Sequence, residues 1–329
     1  MPYTPDPTNA TQPLDSEAAG TAAAEFRALK GRVNALANAK LLWNRVQNGN
    51  FVISQRYGAS SITLACANPP NDLRTLDRWL VRPSGTGNIT AQQITAADGV
   101  TKLLRITGGA GSGQISVIHR IEAVDCIDLA NSTISLGVDI SNSLLTTVSW
   151  AIFRPNTIDT YPLYGGGRTT LASGTFTVTG TLTRYTTQVS LPVSATTGLE
   201  IVFSVIGQTS GTFDLGNVQL EPGTVATPFA TRSIAQELIL CSRYSQVLSN
   251  ITSITYAPSA SSTIKVSLPF RVPLRISPAT WTTLALSATN ASGNYISDVG
   301  NQGAAWAVVA AAAGMCGITG GQVEFNADL

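Results

Sequence analysis

Charge is scarce in this chain. Only 12% of the residues are Asp, Glu, Lys or Arg, and 20 basic side chains nearly balance 19 acidic ones, so no net field draws in a polyanion or an anionic membrane from a distance. No nucleic-acid partner is expected. Histidine is scarcer still. The single copy, His119, excludes metal centres built from several imidazoles and leaves a Ser-His-Asp triad one candidate base, with no G-x-S-x-G elbow beside it. The four cysteines, at 66, 126, 241 and 316, form no C-x-x-C pair, so buried free thiols are expected rather than a zinc knuckle or a disulfide framework. No apolar run reaches the ~18 residues of a membrane span, and the first twenty residues lack the basic start and apolar centre of a secretion signal. The chain is expected to be made in a cytosol and to stay soluble, without membrane insertion. The Gly run at 108–113 lacks the Lys-Ser/Thr of a phosphate loop and does not match G-x-G-x-x-G, so a hairpin turn is expected there and no cofactor. Two close carboxylate pairs, Asp72 with Asp77 and Asp125 with Asp128, sit among turn signals and are read as caps or ion-pair partners rather than as a hydrolytic pair.

What is present is a surplus of small and β-favouring residues, Thr, Ser, Val, Ile, Gly and Ala, which points to sheets joined by tight turns. At 329 residues there is room for two domains of ordinary size and a tail. The expected fold is mainly β: an extended N-terminal tail (1–20), a short coiled-coil helix (21–46), a jelly-roll-like β-sandwich (47–232) and a smaller C-terminal α+β module (233–329).

Residues 1–20 carry prolines at 2, 5, 7 and 13 among Thr, Asn, Asp and Gln, a composition that buries too little surface to fold alone. Such a tail is either a passive linker or a peptide ordered on a partner, and docking on a partner is the expectation. From Thr21, Phe26, Leu29, Val33, Leu36 and Trp43 follow a 3,4,3,7 spacing, which is a heptad seam, interrupted by Lys40 and weakened by about 1 kcal/mol at Gly31. A helix of about 25 residues is about 37 Å long. So narrow an apolar stripe needs company, either from its own β domain or from sister helices. A three-helix bundle using those five residues as its seam is the expectation.

From Gln47 to Arg232 the period becomes two. TISLGVDI (133–140) places Ile134, Leu136, Val138 and Ile140 on one face, and LEIVFSVI (199–206) does the same with Leu199, Ile201, Phe203 and Val205. QISVIHRIEAV, TTQVSLPV and TFDLGNVQL are further strands. Gly-rich turns and the absence of intervening amphipathic helices favour an antiparallel sandwich over a parallel sheet. In TFDLGNVQL the alternation breaks at Gly216-Asn217, which predicts a bulge. Glu221-Pro222-Gly223-Thr224 then reads as a turn, and Phe229, placed after an extended Thr227-Pro228, is expected to pin the returning chain. Ser233 with Gln236 forms a capping box for SIAQELILCSRYSQVL. Strands follow in TIKVSLPF, WTTLALSA, GAAWAVVAA and GQVEFNADL.

The runs NGNFVISQRY (48–57), TLDRWLV (75–81), NVQLEPGTVATPFATRSIAQELILCSRY (217–244), LPFRVPLRISPAT (268–280) and VEFNADL (323–329) resemble a family of tailed-bacteriophage tail-fibre and minor tail proteins that contain a carbohydrate-binding-module-like sandwich. The stretch PDPTNATQPLDSEAAGTAAAEFRALK (5–30) is similar to the virion-attachment ends of some phage fibres. The resemblance implies a homotrimeric virion appendage with its N-terminus docked on the particle. Together with the lack of convergent catalytic groups, the expectation is a non-enzymatic fibre made in the host bacterial cytoplasm, docked through residues 1–20 on another virion protein, with its β-rich modules reaching host surface polysaccharide. The chain lacks the repeated strands of a β-helical depolymerase.

Sugar recognition sets flat aromatic rings against sugar faces, with amides and charges on the hydroxyls. Trp150, Tyr161 and Tyr164, with Asn156, Asp159 and Arg168, fall in one turn-rich stretch, WAIFRPNTIDTYPLYGGGR (150–168), and form the expected glycan contact. Each ring taken singly also fits core packing, as Trp79 does. The rivals to a virion fibre are a monomeric carbohydrate-binding or accessory module and a small glycan depolymerase.

Overall fold

A computed structural model of the chain describes residues 26, 28, 29, 44–162, 166–276 and 280–328. The chain forms two compact units, residues 1–43 and 44–329. In the first, residues 26, 28 and 29 are helical, and Phe26 and Leu29 of the expected seam are exposed. Val33, Leu36 and Trp43, like the tail 1–20, lie outside the described residues.

The second unit opens with Asn44, Arg45 and Val46, which are not helical but belong to the sandwich. Val46 is buried in its core. Strands β1 (Ile62–Ala65), β2 (Leu73–Arg74), β3 (Trp79–Gly85), β4 (Asn88–Thr95), β5 (Lys102–Thr107) and β6 (Ser112–Ile121) come first. A short helix, α1 (Ala123–Cys126), and a 3-10 turn (Ile127–Leu129) follow. Then come β7 (Thr133–Asn142), β8 (Thr147–Pro155), β9 (Arg168–Thr177), β10 (Thr183–Ser190), β11 (Leu199–Ile206) and β12 (Thr212–Pro222). They make two six-stranded sheets, one ordered β1-β4-β5-β12-β7-β10 and the other β2-β3-β6-β11-β8-β9. All their pairings are antiparallel.

Most successive strands alternate between the sheets, so each strand sends every second side chain into the space between them. Ile134, Leu136, Val138 and Ile140 of β7 meet Leu199, Ile201, Phe203 and Val205 of β11 in one core, joined by Trp79 and Trp150. The Gly run at 108–113 is not a hairpin turn. It carries the chain from β5 in one sheet to β6 in the other, and its glycines let the backbone approach the loop after β11, where Gly108 N donates to Gly211 O and Gly109 N to Gln208 O.

The expected bulge in β12 is present, with the register shifting between Gly216 and Gln219. Its purpose lies on the N-terminal side. Asn44 Nδ2 donates to Val218 O, Asn44 Oδ1 accepts from Leu220 N, and Val218 N donates to Gly49 O. The segment that follows β12 is strapped down mainly by polar bonds. Buried Glu221 accepts from Thr227 N at 2.7 Å and Thr227 Oγ1 at 2.7 Å, and Gln219 Oε1 accepts from Ala230 N. Thr227 is thus the tether that sequence assigned to Phe229, which is only half-buried.

The capping box at Ser233 and Gln236 starts α2 (Ile234–Ser242). The helix ends there instead of running to Leu248, because Tyr244 turns into the junction with the sandwich and Ser245–Leu248 becomes β13. The strands β14 (Ser253–Ala257), β15 (Thr263–Pro269), β16 (Thr280–Thr289), β17 (Ala291–Ser297), β18 (Gly303–Ala310) and β19 (Gly314–Asn326) complete the chain. β13, β14 and β16 all pair with the long β19, and β15-β18-β17 form a facing sheet. Trp306, Ile318, Val323 and Phe325 fill the core between them.

This C-terminal module meets the sandwich through charge. Arg56 pairs with Glu324, Arg78 with Asp328 at 3.0 Å and Arg243 with Glu122 at 3.2 Å, while the Arg78 guanidinium lies 3.4 Å from the centre of the Tyr244 ring. Burial pushes the Tyr244 phenol up to about 12, which keeps its hydroxyl protonated to donate to Glu122.

Candidate functional site

The outward face of the β2-β3-β6-β11-β8-β9 sheet carries the chemistry. Strand alternation that buries Ile115, Val117 and Ile121 turns Ser116, Ile118 and Arg120 outward. The pairing register then sorts the outward side chains into three rows across the sheet. The first runs Arg120, Glu200, Phe153; the second Leu80, Ile118, Val202, Ala151; the third Arg82, Ser116, Ser204, Ser149. An ionic row, an apolar row and a largely hydroxyl row lie side by side.

The ionic row is fixed by three guanidiniums sharing two carboxylates. Asp72 accepts from Arg82 Nε at 2.5 Å and from Arg120 Nη2 at 2.6 Å, while Glu200 accepts from Arg120 Nε at 2.9 Å and from Arg168 Nη1. The Arg168 guanidinium also stands 4.1 Å from the centre of the Phe153 ring, a cation over a ring face. Leu80, Ile118 and Val202 form a small apolar cluster with Phe153 packed against it. In the third row Ser116 Oγ and Ser204 Oγ lie 3.0 Å apart, and Gln114 Nε2 reaches Ser116 Oγ at 3.3 Å. Above these rows is a groove of about 230 Å³, walled by Pro70 and Ser84 on one side and by Phe153 and Arg168 on the other.

Such a surface suits an uncharged or weakly charged polyol: hydroxyls meet serines and an amide, and a ring's C–H face meets the apolar row. Asp72 and Glu200 each accept hydrogen bonds from two arginines, so both carboxylates are engaged within the ionic row. No cluster of three or more metal-ligating side chains occurs among the described residues.

The expected glycan contacts distribute unevenly over this site. Arg168 is in it, as the first residue of β9. Trp150 borders the groove but is only 7% exposed, with its ring packed in the core and 6.1 Å from Phe176. Tyr161 donates its hydroxyl to Ile121 O at 2.5 Å, and burial pushes its pKa up. Asp159 Oδ1 accepts from Ala123 N, and Asn156 Oδ1 accepts from Thr169 Oγ1. These three hold the segment 156–162 after β8 to the sandwich, while Tyr164 lies outside the described residues. Arg120, Glu200, Phe153, Ser116 and Ser204 were not singled out from sequence as contacts. Their signal was the outward half of the same alternation that identified the core.

His119 faces the opposite way. It is fully buried against Trp79, with ring centres 4.8 Å apart, and its Nε2 accepts from Gln47 N. Burial, reinforced by the charge of Arg78, holds its pKa well below the ordinary value. Its role is packing.

No family model matches the chain, and no curated relative does. Among solved structures, the chain is similar to a family 4 carbohydrate-binding module at 14% identity and a TM-score of 0.33, over 54% of this chain and 99% of that one. It is similar at 12% identity and 0.33 to a family 61 module in complex with β-1,4-galactotriose, over 55% and 99%. The enzymatically active domain of tailspike protein 4 of bacteriophage CBA120 matches at 17% identity and 0.34, over 55% of this chain but only 21% of that one.

Proposed function

We propose that the chain is a non-enzymatic glycan-binding protein, and that the groove over the β3-β6-β11-β8 face is its binding site. The observation that carries this reading is the side-by-side arrangement of ionic, apolar and hydroxyl rows under an open groove of sugar size. The fixed arginines orient the ligand, and the apolar row takes the face of a pyranose ring. The saturated carboxylates favour binding over cleavage.

In the finer reading the chain is a structural appendage of a bacteriophage virion, a homotrimer docked through residues 1–20 and presenting the groove to host surface polysaccharide. The phage-fibre resemblance of residues 5–30 and 217–244 supports it, together with the exposed helical residues Phe26 and Leu29. Multiple copies of a weak site gain ~10²–10⁴ in avidity, so a shallow groove suffices.

The test is affinity electrophoresis of the full chain in gels containing host capsular polysaccharide or lipopolysaccharide. Retardation that disappears in a groove variant, without new reducing ends in the polysaccharide, is the expected result. Migration indifferent to every host glycan would remove the binding reading. Immunolabelling of purified virions tests the appendage reading separately.

A further inference from the structure

The C-terminal module is two-ended in its charge. Its junction with the sandwich is built from Arg56, Glu324, Asp328, Arg243 and Arg275. From Ile276 to Val323 the only charged side chain is Asp298, and it is paired with Lys265 at 2.7 Å; β16 leaves the junction opposite Glu324 and runs into this uncharged stretch.

This uncharged end leaves two different surfaces uncovered, one on each flank of the sheet around β19. On one flank, Tyr256 of β14 stands directly opposite Met315 of β19, and Ile254 lies two residues along on the same face. They are 65%, 58% and 43% exposed. On the other flank, β16 pairs only with β19 among the described residues, leaving its second edge open over ten residues. Nearly every residue of β16 is exposed. Trp281 faces the core side, opposite Phe325, yet is 43% exposed, and Leu284 sits at a bulge and is 38% exposed. No lysine or proline on β16 blunts this surface.

We propose that other copies of this same chain cover both flanks, the exposed Trp281 and Leu284 side chains of β16 in one copy packing against the Ile254-Tyr256-Met315 face of the next. Charge selects the occupant. A charged partner would lose hydration on this surface and meet no counter-charge, whereas a second copy is neutral at the same place. Because the two flanks differ, a contact between identical flanks would leave one of them bare. A head-to-tail contact covers both; it makes a ring when the rotation between copies closes and a filament when it does not. The number of copies, three, rests on the trimeric appendage proposed above; the contact itself does not.

The chain has two methionines, Met1 and Met315, so peroxide oxidation reads one flank and hydrogen exchange of the β16 amides reads the other. In the full-length protein at high micromolar concentration, both rates are expected to fall about tenfold or more below those of the dilute protein or of a contact variant. Leu284→Lys and Tyr256→Lys, both at exposed positions, each restore fast rates. Mixing the two variants, with the Leu284→Lys chain isotope-labelled, returns protection to its Met315, because its intact face meets the intact β16 of the other variant. No return of protection on mixing would overturn the head-to-tail contact. Met315 and β16 reacting at free rates at the highest concentration would overturn the interface altogether, even in a protein whose mass is trimeric. Protection in an assembly that is not trimeric would instead sink only the copy number.

Discussion

The backbone N–H of Asn48 donates to Glu237 Oε2 at 2.8 Å, joining residues 189 positions apart. Asn48 is at positive φ, its side chain bonds Ile53 and Asp77, and its carbonyl accepts from Trp79 Nε1. Glu237 also accepts from Arg232 at 2.9 Å, and Arg232 in turn donates to Val46 O and Asn44 O. One buried carboxylate therefore ties the entry of the sandwich to the helix that leaves it.

Glu237→Gln is expected to lower stability by about 2–3 kcal/mol. The substitution keeps the volume but removes the charge that pairs with Arg232; Arg232 is partly exposed, which keeps the loss below that of a fully buried pair. The midpoint of urea unfolding measures it, and a midpoint within error of the parent would show that the bond carries no weight.

Gly49→Ala tests the other side of the same junction. A Cβ on Gly49 would lie 2.1 Å from Val218 O, and that carbonyl is held by Asn44. Neither backbone can yield without breaking the bulge, so a loss of about 2–3 kcal/mol is expected. The same urea titration reads it.

These two junction residues also show how far sequence reaches. The core was legible because Leu136 and Phe203 follow a strict period of two, and the bulge at Gly216-Asn217 because that period breaks. The capping box at Ser233 was legible because it is local. Asn48 was not, since its bonds reach Asp77 and Glu237 and no short pattern encodes such distances. The groove failed for a related reason. Arg120 and Glu200 look like ordinary outward charges until the register sets them opposite each other. Aromatic residues near a turn drew attention to Tyr161 and Trp150, yet buried partners claim the first and the core claims the second.

Stability should fall with pH below about 6.5, through His119. Its pKa in the folded protein is depressed, first by burial and then by Arg78. The folded state keeps the ring neutral while the unfolded chain takes up a proton near 6.5. The unfolded state then binds more protons, so this contribution is complete above that pH and is lost at up to about 1.4 kcal/mol per pH unit below it. His119→Gln retains an acceptor for Gln47 and cannot titrate. Urea midpoints at pH 7 and pH 5 should therefore differ less in the variant than in the parent. Asp77, whose pKa burial raises, works in the opposite direction but is common to both proteins. An unchanged slope would mean that His119 titrates normally and is reached by water.

Binding in the groove should depend on Phe153 and Arg168 more than on the rings chosen from sequence. Phe153→Ala removes the flat face beside the apolar row, and Arg168→Ala removes both a cation over that face and one of the two donors to Glu200. Each loss is expected to cost about 1–2 kcal/mol of affinity, five- to thirtyfold in Kd. Asn156→Ala, which breaks only a bond to Thr169 at the loop, should leave Kd within about twofold. Arg168 lies at the rim of the groove with its side chain 19% exposed and Phe153 packs at the sheet surface, and near-ultraviolet circular dichroism checks that both variants stay folded. Isothermal titration with the polysaccharide that retards the parent protein gives the three constants. Equal affinities for the parent and both groove variants, all folded, would move the binding site off this face of the sandwich.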